Sequence, residues 1–357
     1  MRILAVNPGS TSTKISVFED EKEIWELKLP HSPEELSSFG TNIFEQYGFR
    51  RDVIVSALKD AGYPVESFYG IVGRGGLVKP IPGGTYIVDN NLLKDLEKGI
   101  LGQHASNLGG PIAAELAKTA GCEAFIVDPV VVDEMEPIAK YTGSPLLTRK
   151  SIFHALNQKA VARKAAKELG GEYDSSNFIV IHLGGGISVG AHRKGQVVDV
   201  NNALDGDGPF TPERSGGLPA GDLAKLCFSG DYTLNDIKKI IKGSGGIVAY
   251  LGTNDMMRVE DEVKKGNEEW LAVYHAMAYQ IAKETGAMAA VLKGEVDAVV
   301  VSGGIAYDKK FIGWLKEMIE FIAPVIVYPG EMEMEALALG ALRVLTKKEV
   351  PRVYNPE

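Results

Sequence analysis

Cysteine is scarce in this chain of 357 residues: only Cys122 and Cys227 occur. They stand far apart and neither belongs to a CxxC pair, which argues against a disulfide framework and against a cysteine-built zinc site. Basic charge is short as well. Lys and Arg number 38 against 47 Asp and Glu, a net charge of −9, and no basic block stands out. A nucleic-acid partner or an anionic membrane surface is therefore not expected. No apolar run reaches the roughly eighteen residues that a membrane helix needs. The opening Met1-Arg2-Ile3-Leu4-Ala5-Val6 reads as a strand, too short for a signal peptide. The expectation is a soluble, cytoplasmic protein, with enough chain for two domains.

Two familiar nucleotide motifs are also missing. Gly9-Ser10-Thr11-Ser12-Thr13-Lys14 resembles a P-loop but lacks the second glycine before the lysine, and it leads into a strand where a helix is required. Gly184-Gly185-Gly186 does not continue as GxGxxG, which disfavours a Rossmann dinucleotide site.

What is present is a repeated order of elements. Apolar runs at 2–7, 14–18 and 24–29 predict a three-stranded meander, with Trp25, Leu27 and Leu29 alternating on one face. Helical patterns follow at 33–47, 50–61, 90–99 and 107–120, with single strands at 70–73 and 123–127. The pattern then returns: strands at 177–182, 187–191 and 196–200, helices at 152–169 and 268–293, strands at 297–301 and 324–328, and a last helix at 332–346. Ile15-Ser16-Val17 recurs as Ile187-Ser188-Val189. This predicts a duplicated α/β fold, two mixed sheets with helices on their faces and a cleft between the halves. Gly-rich turns at 9–13, 184–186, 243–246 and 302–304 expose backbone N–H groups at strand ends. One such turn is ordinary hairpin chemistry; four, spread over both halves, point to a nucleoside triphosphate.

The residues around these turns carry a resemblance. Asn7-Pro8-Gly9-Ser10-Thr11-Ser12-Thr13-Lys14 is similar to the N-terminal signature of the acetate kinase and butyrate kinase family, N-x-G-S-S-S-x-K. The likeness extends to His182-Leu183-Gly184-Gly185-Gly186, to Phe210-Thr211-Pro212-Glu213-Arg214-Ser215-Gly216-Gly217, and to Pro329-Gly330 with the following Glu331–Ala338. The last two segments match the butyrate kinase branch better than the acetate kinase branch. The resemblance implies two ribonuclease-H-like domains, the fold of sugar kinases, actin and heat-shock chaperone ATPases, closing on ATP. The expected division is 1–150, with the terminal segment 336–357 packing back on it, and a nucleotide-binding 151–335.

It also implies roles for single residues. Arg74, His154 and Arg214 match the cationic and donor groups around the transferred phosphoryl, where fixed donors meet spreading negative charge. Asp128, at a strand end, and Glu335 match a magnesium-associated pair, with Glu333 in reserve because Glu331, Glu333 and Glu335 alternate. Asn7, Ser12, Lys14, His182, Gly184, Gly185 and Gly186 match positions near the ATP or ADP phosphates. Asn254, Asp255, Gly303 and Gly304 match the adenosine end. Gly75, Gly76, Phe153 and Pro212 match acyl-pocket walls; branched residues follow the arginine in acetate kinases, so the two glycines here are expected to leave room for a longer acid.

The implied reaction is transfer of the ATP γ-phosphoryl group to a short-chain fatty acid, butyrate first, by a homo-oligomer of at least two copies. A carboxylate suits a site without an obvious base, because an aliphatic acid is already ionised at neutral pH, whereas a hydroxyl must lose its proton. A branched acid such as isobutyrate, a sugar kinase using Asp128 as base, and an actin-like nucleotide switch are the alternatives.

Overall fold

The computed structural model describes residues 1–40 and 42–355. Thr41, inside the stretch expected as helix 33–47, and residues 356 and 357, at the end of the expected 336–357 segment, lie outside them. By its internal contacts the chain forms two compact units, Met1–Val132 with Met332–Glu357, and Asp133–Glu331.

The first unit is built on β1 (Arg2–Pro8), β2 (Ser12–Glu19), β3 (Lys22–Pro30), β4 (Gly70–Arg74), β5 (Thr85–Ile87) and β6 (Glu123–Val127), in sheet order β3-β2-β1-β4-β6-β5. β1, β2 and β3 pair antiparallel, β4 and β6 extend the sheet in parallel from β1, and β5 closes it antiparallel. The period-two alternation of β1 divides its side chains between two helical layers. Leu4 and Val6 enter a core with Ile112 and Leu116 of helix Gly109–Ala120. Asn7 lies on the other face, toward helix Glu333–Leu345, which packs across β1, β4 and β6.

The second unit repeats this plan. β7 (Asn177–Leu183), β8 (Ile187–Arg193) and β9 (Gln196–Val200) form the antiparallel meander, and β10 (Ala298–Gly303) and β11 (Val325–Pro329) add in parallel. Written from the other edge, its order β9-β8-β7-β10-β11 is that of β3-β2-β1-β4-β6, so the duplication expected from the sequence is present strand for strand. Helix Glu268–Val291 fills one face with Tyr274, Met277 and Ile281. Helix Ala155–Glu168 packs on β7 and β10.

Two local expectations change. The stretch expected as one helix at 33–47 is broken: Ser32 and Glu35 form a capping box for a helix that runs only over Pro33–Ser37. Asn42 caps a separate 3₁₀ turn at Ile43–Gln46, leading into helix Tyr47–Asp60. Leu27, placed on the apolar face of β3 with Trp25 and Leu29, is exposed, because β3 is the edge strand of its sheet. Among the described residues no helix is long and apolar enough to cross a membrane.

Candidate functional site

In open parallel sheets ligands bind at the carboxyl ends of the strands, and both units concentrate their polar side chains there. In the first unit Asn7 stands next to the end of β1, β4 ends at Arg74, and β6 runs into Asp128. Arg74 reaches its place because two glycines remove side chains where β4 meets helix Gly109–Ala120: a Cβ on Gly73 would stand 2.0 Å from Gly109 O, and one on Gly109 would stand 2.3 Å from Arg74 O. Arg74 Nη1 lies 2.5 Å from Glu333 Oε2, and Asn7 Nδ2 donates to the same oxygen at 2.8 Å. Glu333 is the first residue of its helix, where the macrodipole favours an anion.

This geometry separates the two candidate glutamates. Residues two apart on a helix do not face each other, and Glu335 lies toward β3, where its charge, after burial and Glu26, helps push the Glu23 carboxyl upward against the pull of Lys14. Glu333, held in reserve on sequence grounds, is the one brought to Arg74 and Asn7. Asp128 is buried and adopts a left-handed backbone with φ of 37°, a conformation that Asp tolerates better than most residues. Its Oδ1 accepts from Gly84 N at 2.7 Å, and its own N–H returns to Gly84 O at 3.1 Å.

The turn after β1 is braced from behind by a residue that sequence reasoning missed. Arg50, fully buried on helix Tyr47–Asp60, donates to Gly9 O at 2.9 Å, Ser10 O at 3.3 Å, Ser12 O at 3.3 Å and Thr13 Oγ1 at 3.0 Å. Gln46 Oε1 takes two further bonds at 2.8 and 3.1 Å. All these acceptors are neutral, and burial pulls the guanidinium down to about 10. Drawing the carbonyls of the turn inward toward a cation is what an anion-binding turn needs of its scaffold. Its signal in the sequence was weak: an arginine in an otherwise ordinary amphipathic stretch. Ser12 contributes its carbonyl to this brace, whereas Lys14 pairs with Glu26 at 2.7 Å on the partly exposed sheet face.

Gly75 and Gly76 require a correction. A Cβ on Gly75 would lie 2.7 Å from Pro129 Cβ, and one on Gly76 would lie 2.5 Å from Asn107 Oδ1 and 2.7 Å from Leu96 Cδ2. The space in those directions is filled by the protein. These glycines permit close packing of the strand end, with Asn107 Oδ1 accepting from Leu77 N at 2.9 Å, and do not open an acyl pocket by missing bulk.

In the second unit the turn between β7 and β8 carries Gly184, Gly185 and Gly186. Arg214 lies over it so closely that a Cβ on Gly186 would stand 1.9 Å from Arg214 Nη1; only glycine admits the guanidinium here. Arg214 donates to Ala203 O, lies 3.9 Å from Glu213 Oε1, and has a buried Nε without a hydrogen-bond partner. Burial lowers its affinity for its proton, with Glu213 opposing. Thr211 Oγ1 ties the segment to Gly185 O at 2.7 Å. Gly245 and Gly246 support this loop from below, since a Cβ on Gly246 would meet Thr211 O at 1.8 Å. That turn is therefore scaffold where a fourth phosphate cradle was expected.

His182, at the end of β7, has Nε2 3.7 Å from Glu331 Oε1 and within 3.2 Å of where a Cβ of Gly184 would stand. His154, just before helix Ala155–Glu168, stacks on it with ring centroids 3.9 Å apart. Phe153 beside it and Pro212 are buried. Gly303, with φ of 97°, exchanges backbone hydrogen bonds with Gly330, and Gly304 opens onto free space. Asn254 donates to Glu213 Oε2 at 3.3 Å. The Asp255 carboxylate is occupied as the N-cap of helix Met256–Lys264.

A glycine turn beneath a partly buried arginine suits the phosphates of a nucleotide, which demand close backbone approach and positive charge. For a metal, no group of three or more His, Cys, Asp or Glu stands together among the described residues. Carboxylate oxygens such as those of Asp128 and Glu333 have the chemistry that a hard ion keeping most of its waters accepts.

Comparison with known proteins gives the same picture. Residues 136–319 match the family model described as the Acetokinase family. Butyrate kinase 2 of Clostridium acetobutylicum is 55% identical over 354 residues, covering 99% of both chains, and Butyrate kinase 1 of the same organism is 53% identical over the same length. Among solved structures, acetate kinase of Porphyromonas gingivalis superimposes with a TM-score of 0.79 at 21% identity, covering 98% of this chain and all of that one. A propionate kinase of Francisella tularensis gives 0.74 at 16% identity, over 95% of this chain and 98% of that one. The two-sheet fold is thus that of the acetate kinases. Strand-end chemistry, glycine turns and identity along the whole chain agree, and the protein belongs to the acetokinase family.

Proposed function

We propose that the protein transfers the γ-phosphoryl group of ATP to the carboxylate of a short-chain fatty acid, butanoate before others, giving butanoyl phosphate and ADP. The observation that carries this is 55% identity along 99% of the chain to a butyrate kinase. A carboxylate oxygen attacks the γ-phosphorus, the bond to the β-phosphate oxygen breaks, and ADP leaves with its electron pair. No proton has to move, because the acid is ionised at neutral pH.

We assign the Gly184–Gly186 turn, Arg214, His182, Gly303 and Gly304 to the nucleotide. On the first unit we assign Arg74, steered by Glu333 and Asn7, to the transferred group, and on the second unit we assign His154 to the phosphates. Donors held in place ahead of the reaction lower the barrier because they need no reorganisation as charge spreads over the equatorial oxygens. Mg²⁺, when bound, neutralises phosphate charge, and Asp128 and Glu333 are the carboxylates that would hold it. Asp128 is the positioning or metal-holding group in this scheme and not a base, consistent with its engagement by the Gly84 N–H. We place the enzyme in the cytoplasm as a homo-oligomer.

The test is an acceptor series with purified protein, ATP, Mg²⁺ and hydroxylamine, which traps only acyl phosphates. Butyrate should exceed acetate in kcat/KM by about 15-fold, from two further buried methylenes at about 0.8 kcal/mol each. Hydroxamate from no aliphatic acid, or phosphorylation of hexoses alone, would overturn the proposal.

A further inference from the structure

The face of the second sheet that meets helix Ala155–Glu168 carries a buried polar strip beside Phe178, Val180 and Val300. Alternation along the strands sends Ile179, Ile181, Val189 and Val301 into the apolar core, and leaves His182, Ser188, His192 and Ser302 on the opposite face, each at 2% exposure or less. Buried polar groups have to be paired. Here the pairing decides where two imidazole protons lie.

Backbone carbonyls can only accept, so they set the direction of each chain of bonds. Gln158 Nε2 donates to Ser188 O at 3.0 Å, which turns Gln158 Oε1 toward His192 Nε2 at 2.9 Å. That oxygen also only accepts, so His192 carries a proton on Nε2. Complete burial, followed by the charges of Lys159 and Arg163, pushes the His192 ring well below the usual range. Its Nδ1 is therefore bare and takes the Tyr173 hydroxyl at 2.8 Å. In the other direction Gln158 Nε2 gives its second N–H to Ser188 Oγ at 2.8 Å, and the Ser188 hydroxyl passes its own proton to His154 Nδ1 at 2.8 Å. His154 then keeps its proton on Nε2.

A second chain gives His182 the same tautomer. Ser302 Oγ donates to Ile181 O at 3.4 Å, so it accepts from Asn157 Nδ2 at 2.8 Å. The other N–H of that amide meets His182 Nδ1 at 2.9 Å. The two rings stack 3.9 Å apart at 19°, a separation at which two cations would repel and two neutral rings do not.

We propose that Gln158, Ser188, His192 and Tyr173 are positioning residues that hold His154 as a neutral Nε2–H donor, and that Asn157 and Ser302 do the same for His182. This rests on the assignment of both histidines to the phosphate groups. An untethered imidazole samples both tautomers and would present a lone pair to the anion part of the time. A tethered one offers an N–H in every encounter.

The test uses full-length protein labelled with ¹⁵N-histidine, in which long-range proton–nitrogen correlation separates the two tautomers. The chain has six histidines, and His154→Gln assigns the relevant signal. Wild type should show His154 protonated at Nε2. In Gln158→Glu the side chain cannot donate, the Ser188 hydroxyl turns to it, and the His154 proton should move to Nδ1. Then kcat should fall about 100-fold, the usual effect of losing one transition-state donor, with KM for ATP and acid nearly unchanged. Ser188→Ala, a smaller change, serves if the carboxylate introduced by Gln158→Glu prevents folding; it should give mixed tautomers and a lower kcat. A wild-type His154 protonated at Nδ1, or Nε2–H retained in both variants, overturns the proposal. A tautomer that moves while kcat holds overturns the phosphate role of His154 on which it rests.

Discussion

Glu333→Gln and Glu335→Gln, made side by side, ask which glutamate serves the site. Glu333 Oε2 receives Arg74 Nη1 at 2.5 Å with side chains 23% and 16% exposed, and Asn7 Nδ2 at 2.8 Å. A charge pair with centres about 4 Å apart near a protein surface has a gross attraction of about 4 kcal/mol. Screening at this partly buried pair leaves about 2–3 kcal/mol to aim the arginine, within the range for a hydrogen bond to a charged group. Glutamine keeps the shape and one acceptor but loses the charge, so most of that hold disappears. At 1.36 kcal/mol per tenfold, kcat/KM for butyrate should fall about 30- to 150-fold. Glu335 points toward Glu23, and its removal relieves a repulsion, so activity should stay within about threefold. Initial rates by hydroxamate trapping, with circular dichroism as a check on folding, decide the matter. An equal or larger loss in Glu335→Gln would refute the reasoning.

Two further outcomes follow from the first unit. Arg50→Met deprives Gly9 O, Ser10 O and Gln46 Oε1 of their Arg50 donor, while Ser12 O keeps Gly9 N and Thr13 Oγ1 keeps His31. Urea denaturation should show about 2–4 kcal/mol of lost stability and the KM for ATP should rise; a loss below about 1 kcal/mol with unchanged KM would remove Arg50 as the brace of this turn. Glu349 accepts from Thr85 N at 2.8 Å and from Arg343 Nε at 2.8 Å. Burial alone would raise its carboxyl, but the Arg343 charge and these hydrogen bonds outweigh it and bring it below 4.5. Its stabilising contribution is therefore complete above that value and lost as pH falls through the lowered one. The thermal midpoint of wild type should exceed that of Glu349→Gln at neutral pH, and the gap should close as pH falls through the lowered value; a gap that persists in strong acid would contradict this.

Much of the architecture was readable along the chain, because strands buried in a mixed sheet are short apolar runs between glycine turns. Both meanders and the order of single strands are of this kind, and the 24 residues of helix Glu268–Val291 are long enough for its period to show. Less was legible where patterns are short or exposed. The helices Ala220–Cys227, Leu234–Ile241 and Ile247–Leu251 span one or two turns each, too little for a period to declare itself, and strand Thr85–Ile87 has only three residues.

The glycine turns at strand ends, the absence of a Walker or Rossmann motif, and the family were determined by local residues and their order. Such features depend on backbone conformation within a few residues, which side chains dictate directly. Tertiary structure alone decided which of Glu333 and Glu335 meets Arg74, since three alternating glutamates are equivalent until the helix is docked. It also decided that Gly75 and Gly76 are filled against Pro129 and Asn107, and that Arg50 lies behind the first turn. The direction of the bonds between Tyr173 and His154 belongs to the same class. Each depends on groups remote in sequence being brought within hydrogen-bond or van der Waals range, and no local pattern encodes that.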